Sequence, residues 1–132
     1  MLLHLISSIF FSLIFIAPSQ ISCISLTRSL LQQWNPNLTS ITKLDLGVKS
    51  ITDMEPNLFQ GLSNLEFLYL DTNMISKLEN NTFKGLTNLT FLDISSNSLN
   101  KLESLAFNNL ENLKILYLDR NKLTKLDYRY VF

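Results

Sequence analysis

The sequence predicts a solenoid of about four coils, in which each coil adds one short strand to a parallel sheet. Two observations lead to this fold. Apolar blocks recur at a constant spacing of 24 residues, and their first residues are Ile41, Leu65, Leu89 and Leu113. In each block, apolar residues three and five positions after the first follow the period of two that is typical of a strand with one buried face. A single copy cannot bury that face, so the copies must stack on one another.

Composition and charge narrow the class of function. The 132-residue chain contains 28 Leu and 14 Asn, and its 11 basic and 11 acidic side chains give a net charge of zero. Because the Lys and Arg residues are spread along the chain, the sequence lacks the basic patch that nucleic acid or an anionic membrane surface requires. We therefore predict no nucleic-acid partner.

The first element is an apolar run from Leu2 to about Ala17, with no charged side chain before Arg28. The run is shorter than the roughly 20 apolar residues of a membrane span and is followed by small, turn-forming residues. We interpret residues 1–19 as a secretory signal peptide, with cleavage after Ser19 or as late as Cys23. A signal anchor and a buried helix are the alternatives. If Cys23, the single cysteine, is retained, it can form only an intermolecular disulfide.

Residues 41–132 keep three further positions constant from copy to copy. The eighth residue after each start is polar: Lys49, Asn73, Asn97 and Asn121. The eighteenth is apolar and mostly aromatic: Phe59, Phe83, Phe107 and Val131. The twentieth is Gly or Asn: Gly61, Gly85 and Asn109. This pattern resembles the leucine-rich repeat in its 24-residue extracellular form, similar to the ectodomains of Toll-like and adhesion receptors. The resemblance implies an α/β-type solenoid, a curved coil with a parallel concave sheet and an irregular or short-helical convex side.

The asparagines and phenylalanines that recur from copy to copy are predicted to belong to the interior. After each strand the chain turns sharply, which leaves backbone N–H and C=O groups without a sheet partner. An amide side chain both donates and accepts, so a ladder of Asn73, Asn97 and Asn121 can satisfy those groups. The phenylalanines are predicted to stack along the convex side. Gly or Asn at the twentieth position indicates a left-handed turn before each new strand.

The residues between the leucines of each strand are predicted to form the exposed concave face. Because neighbouring strands lie about 4.8 Å apart, Phe67, Phe91 and Ile115 form an unbroken apolar stripe. The predicted ligand-binding residues on and around this stripe are Phe67, Tyr69, Asp71, Phe91, Asp93, Ile115, Tyr117, Asp119 and Arg120. The alternative interpretation is that the aromatic side chains only stabilise the sheet by stacking across strands.

The sequence predicts no catalytic residue, metal site or cofactor. Its only histidine, His4, lies in the predicted signal peptide, so none remains for a catalytic triad or a metal site. Asp71 and Asp93 are candidates for a carboxylate pair or, with Asp45 and Asp119, for calcium ligands. Repeats of uniform length imply no pocket, which favours solvated carboxylates.

Three sequons place candidate N-glycosylation sites at Asn37, Asn80 and Asn88. In the register of the repeats, these residues fall before the first strand, on the convex segment, and in the loop just before a strand. None coincides with the asparagine ladder, so the fold leaves room for glycans at all three sites.

The resemblance also sets expectations for the two ends. Residues 24–40 look like the lead-in of an N-terminal cap, with Trp34 and Leu38 covering the first coil, although the disulfides usual in such caps are absent. The chain stops at Phe132 inside the fourth copy, which would leave the strand near Ile115 as an open edge. Either the chain is a fragment of a longer receptor, which we favour, or this edge mediates self-association.

These expectations combine into one leading function. The resemblance implies a secreted or cell-surface, non-enzymatic recognition module that binds a protein ligand through its concave face, in an immune or signalling receptor. One alternative is a structural or matrix-associated assembly protein. A third is an intracellular scaffold, which requires the signal-peptide interpretation to be wrong.

Overall fold

The computed structural model describes residues 22–103 and 105–124. The predicted signal peptide at 1–19, together with Val131 of the predicted phenylalanine positions, lies outside the described residues. One helix and a series of short strands are described: α1 (Arg28–Trp34), β1 (Ile24–Leu26), β2 (Lys43–Asp45), β3 (Ile51–Met54), β4 (Phe67–Tyr69), β5 (Lys77–Leu78), β6 (Phe91–Asp93), β7 (Lys101–Leu102) and β8 (Ile115–Tyr117).

The predicted parallel sheet is confirmed. Strands β2, β4, β6 and β8 form one four-stranded sheet in that order, and every neighbouring pair is parallel. Neighbouring strands pair at equivalent positions of the repeat, 24 residues apart, so that Phe67 pairs with Phe91 and Phe91 pairs with Ile115. The central leucine of each of the first three strands is buried, whereas the residues on either side of it point outward. The solenoid of about four coils follows directly from the 24-residue period.

A second set of short strands lies on the other side of the core. Strand β1 pairs with β3, and β5 pairs with β7, in both cases in parallel. The resemblance suggested irregular or short-helical structure here; in the described residues beyond position 40 this side contains these strands and turns. Successive turns are closed by bonds such as Leu58 N to Glu55 O at 3.3 Å and Leu62 N to Phe59 O at 3.1 Å. Each reversal therefore closes over three residues, and no helix develops on this side within the part of the chain that the structure describes.

The lead-in lies against the first coil, and Leu38, one of the two residues expected to cover it, is buried. Helix α1 is N-capped by Thr27, whose hydroxyl accepts a hydrogen bond from Leu30 N at 3.2 Å. Leu31 is fully buried and Leu38 is 3% exposed. Trp34 is 37% exposed and lies beside Leu46 of the first coil, with which it lines a cavity. Trp34 ends the helix, beyond the buried leucines, and remains at the rim.

The phenylalanines stack through the interior as predicted. The ring centroids of Phe59 and Phe83 lie 6.0 Å apart at 20°, and those of Phe83 and Phe107 lie 5.8 Å apart at 8°. Phe59 and Phe83 are fully buried, and Phe107 is 5% exposed. The three rings join successive coils into one core.

The left-handed turn before each strand is present at all three predicted positions. The φ angles are +80° at Gly61, +101° at Gly85 and +77° at Asn109. The two glycines differ in their surroundings. A Cβ on Gly85 would lie 2.8 Å from the carbonyl oxygen of Phe59, whereas a Cβ on Gly61 would meet nothing within 4 Å. Only Gly85 is therefore required by packing as well as by backbone conformation.

This difference yields a paired prediction for alanine substitutions. Gly61→Ala is expected to lower the free energy of unfolding by about 1–2 kcal/mol, the cost of a Cβ in a left-handed conformation. Gly85→Ala adds a clash with backbone atoms that cannot rotate away, so we expect a loss of about 2–3 kcal/mol. Urea unfolding followed by circular dichroism measures both values. Equal losses would contradict the role of the contact between Gly85 and Phe59.

Candidate functional site: the concave face

The concave face is built by the outward-pointing residues of the four-stranded sheet. In β4 the buried Leu68 is flanked by Phe67 and Tyr69, and β8 presents Ile115 and Tyr117 in the equivalent positions. Phe67 is 37% exposed, Ile115 is 46% exposed and Tyr117 is 48% exposed. The strand register brings these apolar side chains together on a face that the fold itself does not bury.

Phe91 lies at the centre of an aromatic cluster, which we define as Phe67, Tyr69, Phe91 and Tyr117. Its ring centroid is 6.2 Å from that of Phe67, 5.0 Å from that of Tyr69 and 5.6 Å from that of Tyr117. These separations fall within the range of favourable aromatic pairs, each worth about 0.5–1.5 kcal/mol. The cluster therefore stabilises the sheet and at the same time remains at the surface.

Lys43 also contributes to this face, although it was not among the predicted binding residues. Its Nζ lies 4.6 Å from the centroid of the Tyr69 ring, within the range of a cation–π interaction. The signal for it was available in the sequence, because Lys43 stands in register with Phe67 on the neighbouring strand. The cluster thus has a positive charge at its N-terminal edge.

Two aspartates of this region hold the turns that follow the strands. Asp93 Oδ1 accepts a hydrogen bond from Ser95 N at 2.9 Å, and Asp45 Oδ1 accepts one from Gly47 N at 3.0 Å. Both are bonds from a side chain to the backbone two residues later, the spacing of an Asx turn. Asp93 was predicted as a ligand-binding residue, and this geometry gives it a local structural role in addition.

The other predicted charged residues lie in the turns after β4 and β8. Asp71 Oδ2 accepts a hydrogen bond from the Thr72 hydroxyl at 3.2 Å. Asp119 and Arg120 form an ion pair, with 3.4 Å between Oδ2 and Nε. These side chains border the aromatic cluster on the side where the strands end.

The asparagine ladder lies beneath this border. Asn73 Oδ1 accepts hydrogen bonds from the backbone N–H groups of Lys49 and Ile51, both at 3.0 Å. Asn73 Nδ2 donates to the carbonyl of Leu46 in the preceding coil at 2.8 Å and to that of Leu70 in its own coil at 2.9 Å. One amide therefore satisfies backbone groups of two successive coils.

Asn97 and Asn121 repeat this pattern in the next two coils. Each Oδ1 accepts from the backbone N–H 22 positions earlier, and each Nδ2 donates to the carbonyls 27 and three positions earlier. Asn73 and Asn97 are only 8% and 7% exposed. Among the described residues, no buried side-chain nitrogen or oxygen is left without a partner. The ladder belongs to the scaffold that positions the concave face.

The comparison with protein families supports this architecture. The leucine rich repeat family matches residues 39–99 and 88–130, which together make up most of the chain. The chain belongs to the leucine-rich-repeat family. Comparison with curated proteins finds no match. Leucine-rich repeats are suited to protein–protein interaction, and the family is typically non-enzymatic.

Two further properties of this leucine-rich-repeat protein concern metal binding and membrane crossing. In the described part of the chain, no three His, Cys, Asp or Glu side chains form a group that could hold a metal ion. Within residues 22–103 and 105–124, no helix has the length and apolar character needed to cross a membrane.

A cavity of about 340 Å³ opens at the N-terminal end of the leucine-rich repeats, away from Phe91. It is lined by Trp34, Asn35, Asp45, Leu46 and Lys49. This is the end at which Lys49 takes the place of the ladder asparagine. None of the predicted ligand-binding residues lines it.

The sequons occupy exposed turns of the leucine-rich-repeat protein. Asn37, Asn80 and Asn88 are all exposed. Asn80 Oδ1 accepts a hydrogen bond from Leu105 N at 3.2 Å. Asn88 precedes β6 by three residues, so it stands where that strand enters the sheet. Glycosylation of all three stays a prediction.

Proposed function

We propose that this chain is a secreted or cell-surface, non-enzymatic recognition module that binds a protein ligand through its concave face, in the manner of immune and signalling receptors. The observation that carries the proposal is the aromatic cluster around Phe91, together with Ile115, at the surface of the sheet. Exposed contiguous apolar patches are uncommon on soluble monomers and typically mark interaction sites.

The opposite side of the coil offers a contrast that favours the concave face. There the outward side chains of β5 and β7 are charged: Lys77 pairs with Glu79 at 2.7 Å, and Lys101 pairs with Glu103 at 3.0 Å. The hydrogen bond from Lys101 lowers the pKa of the Glu103 carboxyl, so this carboxylate is charged and hydrated at neutral pH. A charged, solvated surface lacks the aromatic anchors that usually supply binding energy.

The rim of the concave face suits a protein ligand better than a small molecule. Asp71, Asp119 and Arg120 provide polar groups around an apolar centre, which is the usual arrangement of a protein interface. The strands that carry the cluster form an open sheet face, on which an extended partner surface can lie. Secretion is supported by the apolar N-terminal run and by the sequons.

A photo-crosslinking experiment tests the binding face. We expect a benzophenone side chain in place of Ile115 to capture the ligand from a preparation of extracellular and cell-surface proteins. The same group in place of Lys101, an exposed position on the opposite side, should capture nothing in common with it. Capture of the same protein by both variants, or no capture by the Ile115 variant, would contradict recognition through the concave face.

Once the ligand is identified, Phe91→Ser measures the contribution of the central ring. Loss of a buried aromatic anchor typically costs about 2 kcal/mol or more, so we expect the Kd to rise at least about 30-fold. Lys101→Ser serves as the matched control and should leave the Kd unchanged. Titration calorimetry gives both values, and circular dichroism shows whether the variants are folded. An unchanged Kd in folded Phe91→Ser would refute the proposal.

A further inference from the structure

One repeat position behaves differently in the third coil. The residue just before each of the last three repeat starts is asparagine: Asn64, Asn88 and Asn112. Asn64 Nδ2 donates to the carbonyl of Thr39 at 3.0 Å, and Asn112 Nδ2 donates to that of Thr87 at 2.8 Å. In both cases the amide nitrogen ties its turn to the preceding coil.

The amide of Asn88 makes no such bond to any described residue, and its side chain is exposed. Asn88 is also the only one of the three that begins a sequon, because Thr90 follows two residues later where the other copies have Glu66 and Lys114. Of the three equivalent asparagines, Asn88, whose Nδ2 makes no hydrogen bond to a described residue, is therefore the one that begins a sequon. The two observations are independent of each other.

We infer that Asn88 carries an N-linked glycan in the folded protein, and that its two repeat equivalents are unsuited to one. The modification joins Nδ2 of Asn88 to the anomeric carbon of an oligosaccharide supplied by a polyprenyl diphosphate donor. The amide loses one proton, and the polyprenyl diphosphate leaves. At Asn64 or Asn112, a sugar on the same nitrogen would crowd the preceding turn, whose carbonyl oxygen lies 3.0 Å or 2.8 Å away.

The local backbone also suits the modification. Thr90 N and Phe91 N both donate to the carbonyl of Glu66, at 2.9 and 3.1 Å, and the Thr90 hydroxyl donates to the same oxygen at 3.2 Å. These bonds fix the start of β6 independently of the Asn88 side chain. A glycan at Asn88 therefore extends from the border where β6 enters the sheet, opposite the acidic border where the strands end.

This inference rests on the export that the proposed function includes. Its test expresses the full chain, with its own N-terminal segment, in cultured animal cells. We expect secreted protein in which a peptide N-glycosidase in H₂¹⁸O converts Asn88 to ¹⁸O-labelled Asp, as read by mass spectrometry. A chain that never enters the secretory pathway overturns the glycan and also the export. An exported chain with Asn88 unmodified overturns the glycan alone.

Two variants supply matched controls for the role of the free nitrogen. Glu66→Thr creates a sequon at Asn64, and Lys114→Thr creates one at Asn112; both altered side chains are exposed. Each chain is compared with the same sequence made in bacteria, which lacks the glycan. We expect the glycans of the unaltered chain, including the one at Asn88, to leave the Tm unchanged within about 2 °C, and each engineered glycan to lower it by about 4–8 °C, because the added sugar disturbs the hydrogen bond from its own nitrogen to the preceding coil. Equal shifts at all three positions would overturn the proposed distinction.

Discussion

Replacing Phe83 by alanine is expected to lower the free energy of unfolding by about 3–5 kcal/mol, the usual cost of truncating a buried phenylalanine. Phe83 is fully buried and stacks between Phe59 and Phe107, so its removal leaves a cavity with a ring on either side. A domain of this size has a total stability of about 5–15 kcal/mol. One substitution in the middle coil would therefore remove a large part of it.

The control for this prediction is another phenylalanine of the same chain. Phe67 belongs to the aromatic cluster and is 37% exposed, so Phe67→Ala leaves no enclosed cavity. We expect it to cost about 1 kcal/mol, the value of its contact with the Phe91 ring. Urea denaturation of the two variants measures the difference. A loss at Phe67 as large as that at Phe83 would mean that the cluster on the concave face is part of the core.

The parallel sheet and the phenylalanine stack could be predicted because each depends on a repeated residue at a fixed spacing. Once Leu65 and Leu89 are known to begin equivalent coils, the 24-residue shift alone places Phe67 beside Phe91. No measurement of the structure was needed for that step. The same 24-residue shift places Ile115 beside Phe91 in the last coil.

Features that depend on packing within one coil could not be predicted from the spacing of the repeats. In β3 the apolar residues Ile51 and Met54 stand three positions apart, and β5 and β7 contain only two residues each, so no period of two marks these strands. Trp34 and Leu38 were both expected to cover the first coil, but the sequence did not predict that Leu38 would be buried while Trp34 stays 37% exposed. Large size alone predicts burial poorly for tryptophan.

In the candidate site, too, features fixed by the repeat could be predicted, whereas a contact that depends on one side chain could not. The sequence placed Phe67, Tyr69, Phe91 and Tyr117 on one face, because their order along the strands is fixed by the repeat. It did not predict that Lys43 would lie over the Tyr69 ring. That contact depends on a side-chain rotamer, which no spacing rule determines.

The second large effect is expected at the asparagine ladder, where Asn97→Leu should lower the free energy of unfolding by about 3–5 kcal/mol. Ile75 N donates to Asn97 Oδ1 at 3.0 Å and would lose its acceptor in a buried position, which costs about 1–3 kcal/mol. The carbonyls of Leu70 and Ile94 would each lose one donor, at about 1 kcal/mol apiece. Urea unfolding measures the sum. Asn100→Leu, at an exposed asparagine outside the ladder, should change the stability by less than about 0.5 kcal/mol.

The ladder also predicts that the losses of unfolding free energy caused by substituting Asn73 and Asn97 are not additive. The carbonyl of Leu70 accepts from Asn73 Nδ2 and from Asn97 Nδ2, both at 2.9 Å. Either single substitution leaves this oxygen with one donor, whereas the double substitution to leucine removes both. The double variant should therefore lose about 1 kcal/mol more than the sum of the single variants. Urea unfolding with trimethylamine N-oxide present keeps all variants folded at the start. Simple additivity would mean that each asparagine acts within its own coil, and that the ladder does not couple neighbouring repeats.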